Sequence, residues 1–489
     1  NMIFILIQIF SFYHFLNLIK IFVEQYYSPK RLIKCQINYL FDKKIKYLVN
    51  TIFYLGFILI FYFFQNDFFL LIFLLINYLF IIKINLKNYH FTRRNLFLLV
   101  LSSVFNIIST YFLVYKVNLF VCVIFLIIIN EFSFYLTFYC LLPIELLIRN
   151  HFIKKAHYKV LKNKYIVIGI TGSFGKTTTK NFVYSFLKTK YLVSKQNHNY
   201  NTLMGLAKYI NNEVKDEDQI LLVELGVDEK NTMKNFEKLF SLDFAIVNSI
   251  GEMHLSTFKS LENIVQEKLS IRFLLKENGQ LFLNQEIENQ FAQYLNFPYQ
   301  TYSLNEIDYQ GECFYKIKYY NQIIQTNLIT KFQLQSLVIA LKIAKILNLN
   351  DYEILFSLNN IIIPSRRLQI RKKNNLLLID NSYNSNYLGI KEVINNLLFL
   401  KKKIIVLTGG LIELGDKYLE YNNLLSYELN KCEKVILITK NNQHPLIKTI
   451  LKNKLILKEN IREGYNYINS LDGEYIVLLL AKGSDIYLK

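Results

Sequence analysis

The stretch ITGSFGKTTT, residues 170–179, follows the apolar run YIVIG and precedes KNFVYSFLK. A buried strand that turns through glycines into an amphipathic helix gathers backbone N–H groups and a helix N-terminus around one point, which favours an anion. A strand followed at once by a helix also calls for a crossover to a parallel neighbour, so this turn alone directs the surrounding chain towards parallel α/β architecture. Gly172, Ser173, Gly175, Lys176, Thr177 and Thr178 form the turn. Lys176 is expected near the outer phosphates of ATP, with the Thr177 hydroxyl available to Mg2+. The usual spacing of such turns asks for a glycine where Ile170 stands; Gly169, Gly172 and Gly175 carry the bend instead.

The pattern continues on both sides of later helices. ILLVELG (220–226) and FAIVNSI (244–250) read as buried strands, and Phe182, Val183, Phe186 and Leu187 as the buried face of the helix after the turn. A second series of strands, LLLID (376–380), KIIVLT (403–408), KVILIT (434–439) and YIVLLL (475–480), alternates with helical stretches. This places a boundary near 328, between a P-loop domain at 149–328 with a mostly parallel sheet and a Rossmann-like α/β domain at 329–489.

Residues 1–148 have a different character. Apolar runs near 2–19, 48–64, 68–83, 96–114 and 119–142 approach or reach the roughly 20 residues that cross a bilayer, giving five expected transmembrane helices. The segments 24–47, 84–95 and 149–162 are rich in Lys and Arg, whereas 65–67 and 115–118 are not. With basic loops inside, the N-terminus lies outside a multi-pass region of the cell membrane, and the later domains are cytoplasmic. These loops also account for the net charge of +20 without nucleic acid, which is not an expected partner. Cys35, Cys122, Cys140, Cys313 and Cys432 are scattered, which argues against a zinc site or disulfide framework.

From residue 164 onward the motifs resemble the Mur ligase family. In order they are the glycine turn, QNHNYNTLMG (196–205), VELG (223–226), HLSTFKSLENIVQEK (254–268), IPSRRLQI (363–370), IDNSYNSN (379–386), GGLIELGD (409–416) and AKGSD (481–485). The SYNSN and ELG segments are most similar to the branch that adds D-alanyl-D-alanine to UDP-N-acetylmuramoyl-tripeptide. The resemblance implies an ATP-dependent ligase of peptidoglycan precursor synthesis that forms an amide bond through an acyl phosphate. Lys176, Glu224, His254 and Lys268 would be catalytic. Thr177, Glu224, His254 and Lys268, the last as a carbamate, would hold metal. Asn284, Arg367 and Asp380 would join the turn in binding nucleotide, at the adenine, phosphates and ribose respectively. Asn199, Asn201, Thr202, Tyr383, Asn384, Asn386, Lys482 and Ser484 would contact the two substrates.

The likeness has departures. FQLQS (332–336) replaces the family's H-N-x-x-N and keeps only the amide of Gln333; Asp380-Asn381 replaces Asp-Asp. The small α/β domain that grips the UDP-sugar is expected to be missing, with the apolar runs in its place. Three readings therefore stand: a ligase for a UDP-linked muropeptide with an amino acid or dipeptide, a membrane-bound Mur-like ligase for a lipid-linked precursor or a poly-amino acid, and a non-catalytic membrane scaffold.

Overall fold

The computed structural model describes residues 93–116, 119–196, 200–253, 255–383, 386–411, 417–441 and 443–481, together with Gln8, Ser11, Phe15, Leu18 and Ile19. The chain divides into two units, Asn1–Arg149 and Asn150–Lys489.

In the first unit, two helices, Arg93–Lys116 and Leu119–Asn163, cover the last two apolar runs; the second helix continues past the unit's end. Their stretches Arg94–Phe112 and Ile129–Asn163 are long and apolar enough to cross a membrane. The runs at 48–64 and 68–83, and most of 2–19, lie outside the described residues. Where the helices are described, their polarity is inverted relative to a water-soluble helix pair. Leu96, Phe97, Ile108, Phe112, Phe132 and Tyr139 are exposed, while Ser102, Asn106, Thr110, Asn130, Ser133 and Thr137 are buried. The Asn106 amide donates to Asn130 Oδ1 at 2.6 Å, and Arg94 holds both carboxylate oxygens of Glu145.

The second unit is built on two sheets. The first has six parallel strands in the order β2-β3-β1-β4-β5-β6. These are β1 (Ile166–Thr171), β2 (Val193–Lys195), β3 (Ile220–Glu224), β4 (Leu242–Val247), β5 (Leu275–Asn284) and β6 (Gln300–Tyr302). Because β1 and β3 are paired on both sides and covered on both faces, each is almost wholly apolar. One face packs against Leu206, Phe236, Val265 and their neighbours, joined by Ile153, Ala156 and Val160. The other packs against the helix Lys176–Leu187 and the helix Lys331–Ile346.

A short antiparallel sheet follows, β7 (Asp308–Gln310), β8 (Lys316–Tyr319) and β9 (Gln322–Gln325). The second large sheet has the order β10-β11-β15-β12-β13-β14, parallel except for β10. It comprises β10 (Gln369–Lys373), β11 (Leu376–Asp380), β12 (Lys403–Thr408), β13 (Lys434–Ile438), β14 (Leu455–Lys458) and β15 (Tyr475–Leu479). The predicted boundary near 328 falls before the helix Lys331–Ile346, yet Leu334, Leu337, Val338 and Leu341 of that helix belong to the core of the first sheet. The second sheet starts only at Gln369.

Candidate active site

The carboxyl ends of the central strands of the first sheet are aligned. Register pairs Ile170 with Glu224, Thr171 with Val247, and Val247 with Leu283. The glycine turn, Glu224, Asn248 and Asn284 therefore emerge along one edge, the edge at which open α/β sheets bind ligands.

Gly175 precedes the helix Lys176–Leu187 with φ 77°, and a Cβ there would lie 2.9 Å from Asn248 Nδ2. Left-handed backbone and crowding together require glycine. The loop after β4 fastens the turn. Ser173 N–H donates to the Ser249 carbonyl at 2.8 Å, Phe174 N–H to Ser249 Oγ at 2.8 Å, and Gly251 N–H to Ser173 Oγ at 3.0 Å. Lys176 folds back over the turn and donates to the Gly172 carbonyl at 2.7 Å. Thr178 is buried beside it.

Thr177 Oγ1 donates to Glu224 Oε2 at 2.8 Å, and Lys180 Nζ lies 3.4 Å from the same oxygen. Burial disfavours the Glu224 carboxylate, but Lys180, Lys176 and Arg367, with the Thr177 hydroxyl, outweigh it and hold the carboxyl below its ordinary range. Burial also lowers the ammonium groups of Lys176 and Lys180, opposed by Glu224 and reinforced by Arg367. Arg367 thus acts on the glycine-turn cluster from the segment that leads into β10. Its guanidinium lies 4.4 Å from the Tyr383 ring centre, and its neighbours Arg366 and Leu368 both have left-handed φ, 59° and 61°. Two strained residues around one half-buried arginine are a local cost of the kind that collects at functional sites.

Lys268 stands on the helix Leu261–Leu269, opened by Ser260, whose hydroxyl accepts from Asn263 N–H. It is 3% exposed. Burial first, then the charge of Lys176, push its amine well below the ordinary lysine range, against the pull of Glu267 and Asp228. Glu267 itself is engaged elsewhere, accepting from Asn231 N–H and Met233 N–H at 2.7 Å each.

Asp380 ends β11 and is buried. Its Oδ1 accepts from Ser382 N–H at 3.1 Å and Ser382 Oγ at 2.6 Å, whereas Oδ2 has no hydrogen-bond partner among the described residues. A buried acceptor without a donor is costly, and a ligand hydroxyl such as that of a ribose would relieve it. Thr177 Oγ1 and Glu224 Oε2 are hard oxygens suited to Mg2+. Among the described residues no group of three or more His, Cys, Asp and Glu comes together. A Mg2+ ion here would be completed by phosphate and water, which is its usual habit.

Other predicted residues occupy local structural roles. Asn284 caps a short helix by accepting from Glu286 N–H, Thr202 caps the helix Leu203–Asn212, and Asn386 caps the helix Tyr387–Leu398. The Asn201 carbonyl accepts from Gly226 N–H at 2.9 Å. Asn199, His254, Asn384, Lys482 and Ser484 lie outside the described residues. Gln333 is buried and caps a helix. Its side chain accepts from Ile329 N–H and Thr330 N–H and closes a capping box on the helix Lys331–Ile346.

Three contributors were not singled out from the sequence. Lys180 pairs with Glu224. Asn248 joins the hydroxyls of Thr179 and Tyr302, and Thr179 in turn donates to Ser336 Oγ at 2.9 Å. Glu252, at the end of the loop that holds the turn, accepts from Lys417 Nζ at 2.7 Å and Tyr421 Oη at 3.0 Å. The spacing of Lys180 four residues after Lys176 was the one available signal, since it places both on one helix face.

Fold and site define a P-loop α/β protein with a second, Rossmann-like sheet. Residues 170–344 match the model of the Mur ligase middle domain, so this part of the chain is similar to that domain. Over 262 residues the chain is 28% identical to the UDP-N-acetylmuramoyl-tripeptide--D-alanyl-D-alanine ligase of Bacillus subtilis, covering 51% of this chain and 57% of that one. Over 303 residues it is 27% identical to the ligase of the same name from Borreliella burgdorferi, covering 58% and 64%. The chain thus spans less than two thirds of the length of these relatives. The MurF ligase of Thermotoga maritima, solved in complex with ADP, superposes with a TM-score of 0.60 at 22% identity over 68% of this chain and 80% of that one, a likeness of fold.

Proposed function

We propose that the chain is an ATP-dependent ligase that joins an amine to a carboxylate during cell-wall precursor synthesis, with a UDP-linked muramoyl-tripeptide and D-alanyl-D-alanine as substrates. The observation that carries this reading is the convergence of Lys176, Thr177, Glu224 and Arg367 at the carboxyl edge of a domain similar to the Mur ligase middle domain. The relatives named for that reaction support the choice of substrates.

In the proposed reaction the acceptor carboxylate takes the γ-phosphoryl group of ATP, giving an acyl phosphate and ADP. The amine then attacks the acyl carbon, and phosphate leaves the tetrahedral intermediate. Such transfer depends on positioning and charge neutralisation. The Lys176 ammonium would swing from the Gly172 carbonyl to the β,γ-oxygens, and Arg367 would meet the same charge from the other sheet. Thr177 and Glu224 would hold Mg2+, which supplies further neutralisation of the phosphates, and His254 would be a ligand for a second ion. Asp380 would accept from the ribose, with Asn284 on the adenine side. Lys268 fits its expected part: carbamylation needs a neutral amine, which its surroundings favour.

The membrane reading rests on the inverted polarity of the two described helices. Apolar side chains outside and hydrogen-bonded amides inside suit lipid better than water. We infer a multi-pass membrane region that keeps the α/β unit on the cytosolic face. A lipid-linked acceptor is the second substrate reading, and this polarity favours it. Phosphate release by the full chain with ATP, D-alanyl-D-alanine and either UDP-linked or lipid-linked muropeptide tests both. Release with neither acceptor would refute the ligase reading.

A further inference from the structure

Lys180 is buried in the helix that begins at the glycine turn, its side chain 4% exposed, and it forms an ion pair with Glu224. Glu224 Oε2 receives the Thr177 hydroxyl and faces the Lys180 ammonium. Two other nearby lysines are hydrogen-bonded elsewhere: Lys176 donates to the Gly172 carbonyl and Lys195 to Asn181 Oδ1. Asn181 in turn donates to the Thr177 carbonyl at 2.8 Å, so the same helical turn sets both donors. A buried ion pair contributes little to stability compared with apolar packing, so packing gives no reason for a lysine here.

We propose, on the basis of the ligase reading above, that Lys180 is a positioning residue that holds the Glu224 carboxylate beside Thr177 and prevents a lone divalent cation from occupying it, so that metal enters together with nucleotide phosphates. With Lys180 in place, an incoming Mg2+ meets a carboxylate already neutralised and flanked by Lys176 and Arg367. A metal bound to polyphosphate brings enough negative charge to reverse that repulsion. The pair thereby makes metal occupancy conditional on nucleotide, while the carboxylate stays ionised and aimed.

Mn2+ binding to the full chain, measured by electron paramagnetic resonance without nucleotide, tests this. Lys180→Met should bind free Mn2+ at least about tenfold tighter than wild type, since one repelling charge a few ångströms away is removed. Lys180→Arg should stay at the wild-type level, and adding Glu224→Gln to the methionine variant should abolish the gain. Lys180→Gln, which keeps a donor for Glu224 but not the charge, serves where the methionine variant does not fold. Folded neutral variants that bind Mn2+ no tighter than wild type would overturn the proposal, as would tight binding of lone Mn2+ by wild type. Failure of wild type to take up ATP would instead refute the ligase reading, and the Mn2+ comparison is independent of that result.

Discussion

Lys176→Met is the substitution whose effect can be followed furthest from the structure. Methionine keeps most of the side-chain length and removes only the ammonium that now donates to the Gly172 carbonyl at 2.7 Å. In the absence of nucleotide the loss should be mild. Burial and Arg367 already disfavour that charge, and Glu224 keeps Lys180 and the Thr177 hydroxyl when Lys176 is gone. With ATP bound, the missing charge matters. A unit charge at about 4 Å is worth about 4 kcal/mol at an effective dielectric of about 20, and the part that grows in the transition state is smaller. The expected loss in turnover is on the order of 10² to 10³, comparable to removal of one preorganised electrostatic donor. The assay is phosphate release at saturating ATP, with thermal unfolding of the same preparations as a control. A folded variant that turns over like wild type would show that the glycine turn does not handle the transferred phosphoryl group.

Three further outcomes are expected. Lys268→Ala should lose most activity and regain part of it with added short carboxylic acids, which supply the oxygens of the absent carbamate; full activity without rescue would remove Lys268 from the site. Glu392, whose carboxylate accepts from Lys331 N–H, is pushed by burial up to about 7 from 4.5, with Lys331 opposing and Glu286 adding. A folded pKa above the unfolded one means that the native state holds the extra proton between pH 4.5 and about 7, so stability falls as pH rises through that window. Glu392→Gln should therefore raise the thermal midpoint at pH 8 and leave it unchanged at pH 4; equal shifts at both would exclude this linkage. A reporter fused after Lys155 should behave as cytosolic and one within 115–118 as external, and the opposite pair would reverse the topology.

The parts of this molecule that the sequence reveals are those in which one residue type has one physical use. The central strands are legible because strands buried on both faces must be apolar throughout, and YIVIGI, ILLVE and FAIV are. Glu224 is legible for the complementary reason, as the one charge that ends such a run, and the register sets it opposite Ile170 beside the turn. By contrast β5 begins LKENG, whose charges and glycine read as a turn, and only its later half is buried. Gln333 looked like a remnant of a ligand-binding motif, yet T-x-x-Q before an apolar run is also a capping signature, and the cap is what it makes.

Lys180 shows why side-chain function is harder to read than backbone form. In a lysine-rich chain, a lysine on an amphipathic helix is ordinarily solvated, and its place four residues after Lys176 is a weak signal against that. Its meaning comes from β3, two crossovers away in sequence, which brings Glu224 to within 3.4 Å. Arg367 extends the same logic to the second sheet: it comes from the segment before β10 and lowers the Glu224 carboxyl together with Lys180 and Lys176. Three cations from two parts of the fold thus converge on one carboxylate, and the resulting excess of positive charge suits a polyanion better than a bare metal ion. The electrostatics of the site therefore depend on the segment before β10 as well as on the first sheet. Separating them would remove Arg367 from the cluster and, with it, part of the attraction for the phosphates that the glycine turn is shaped to receive.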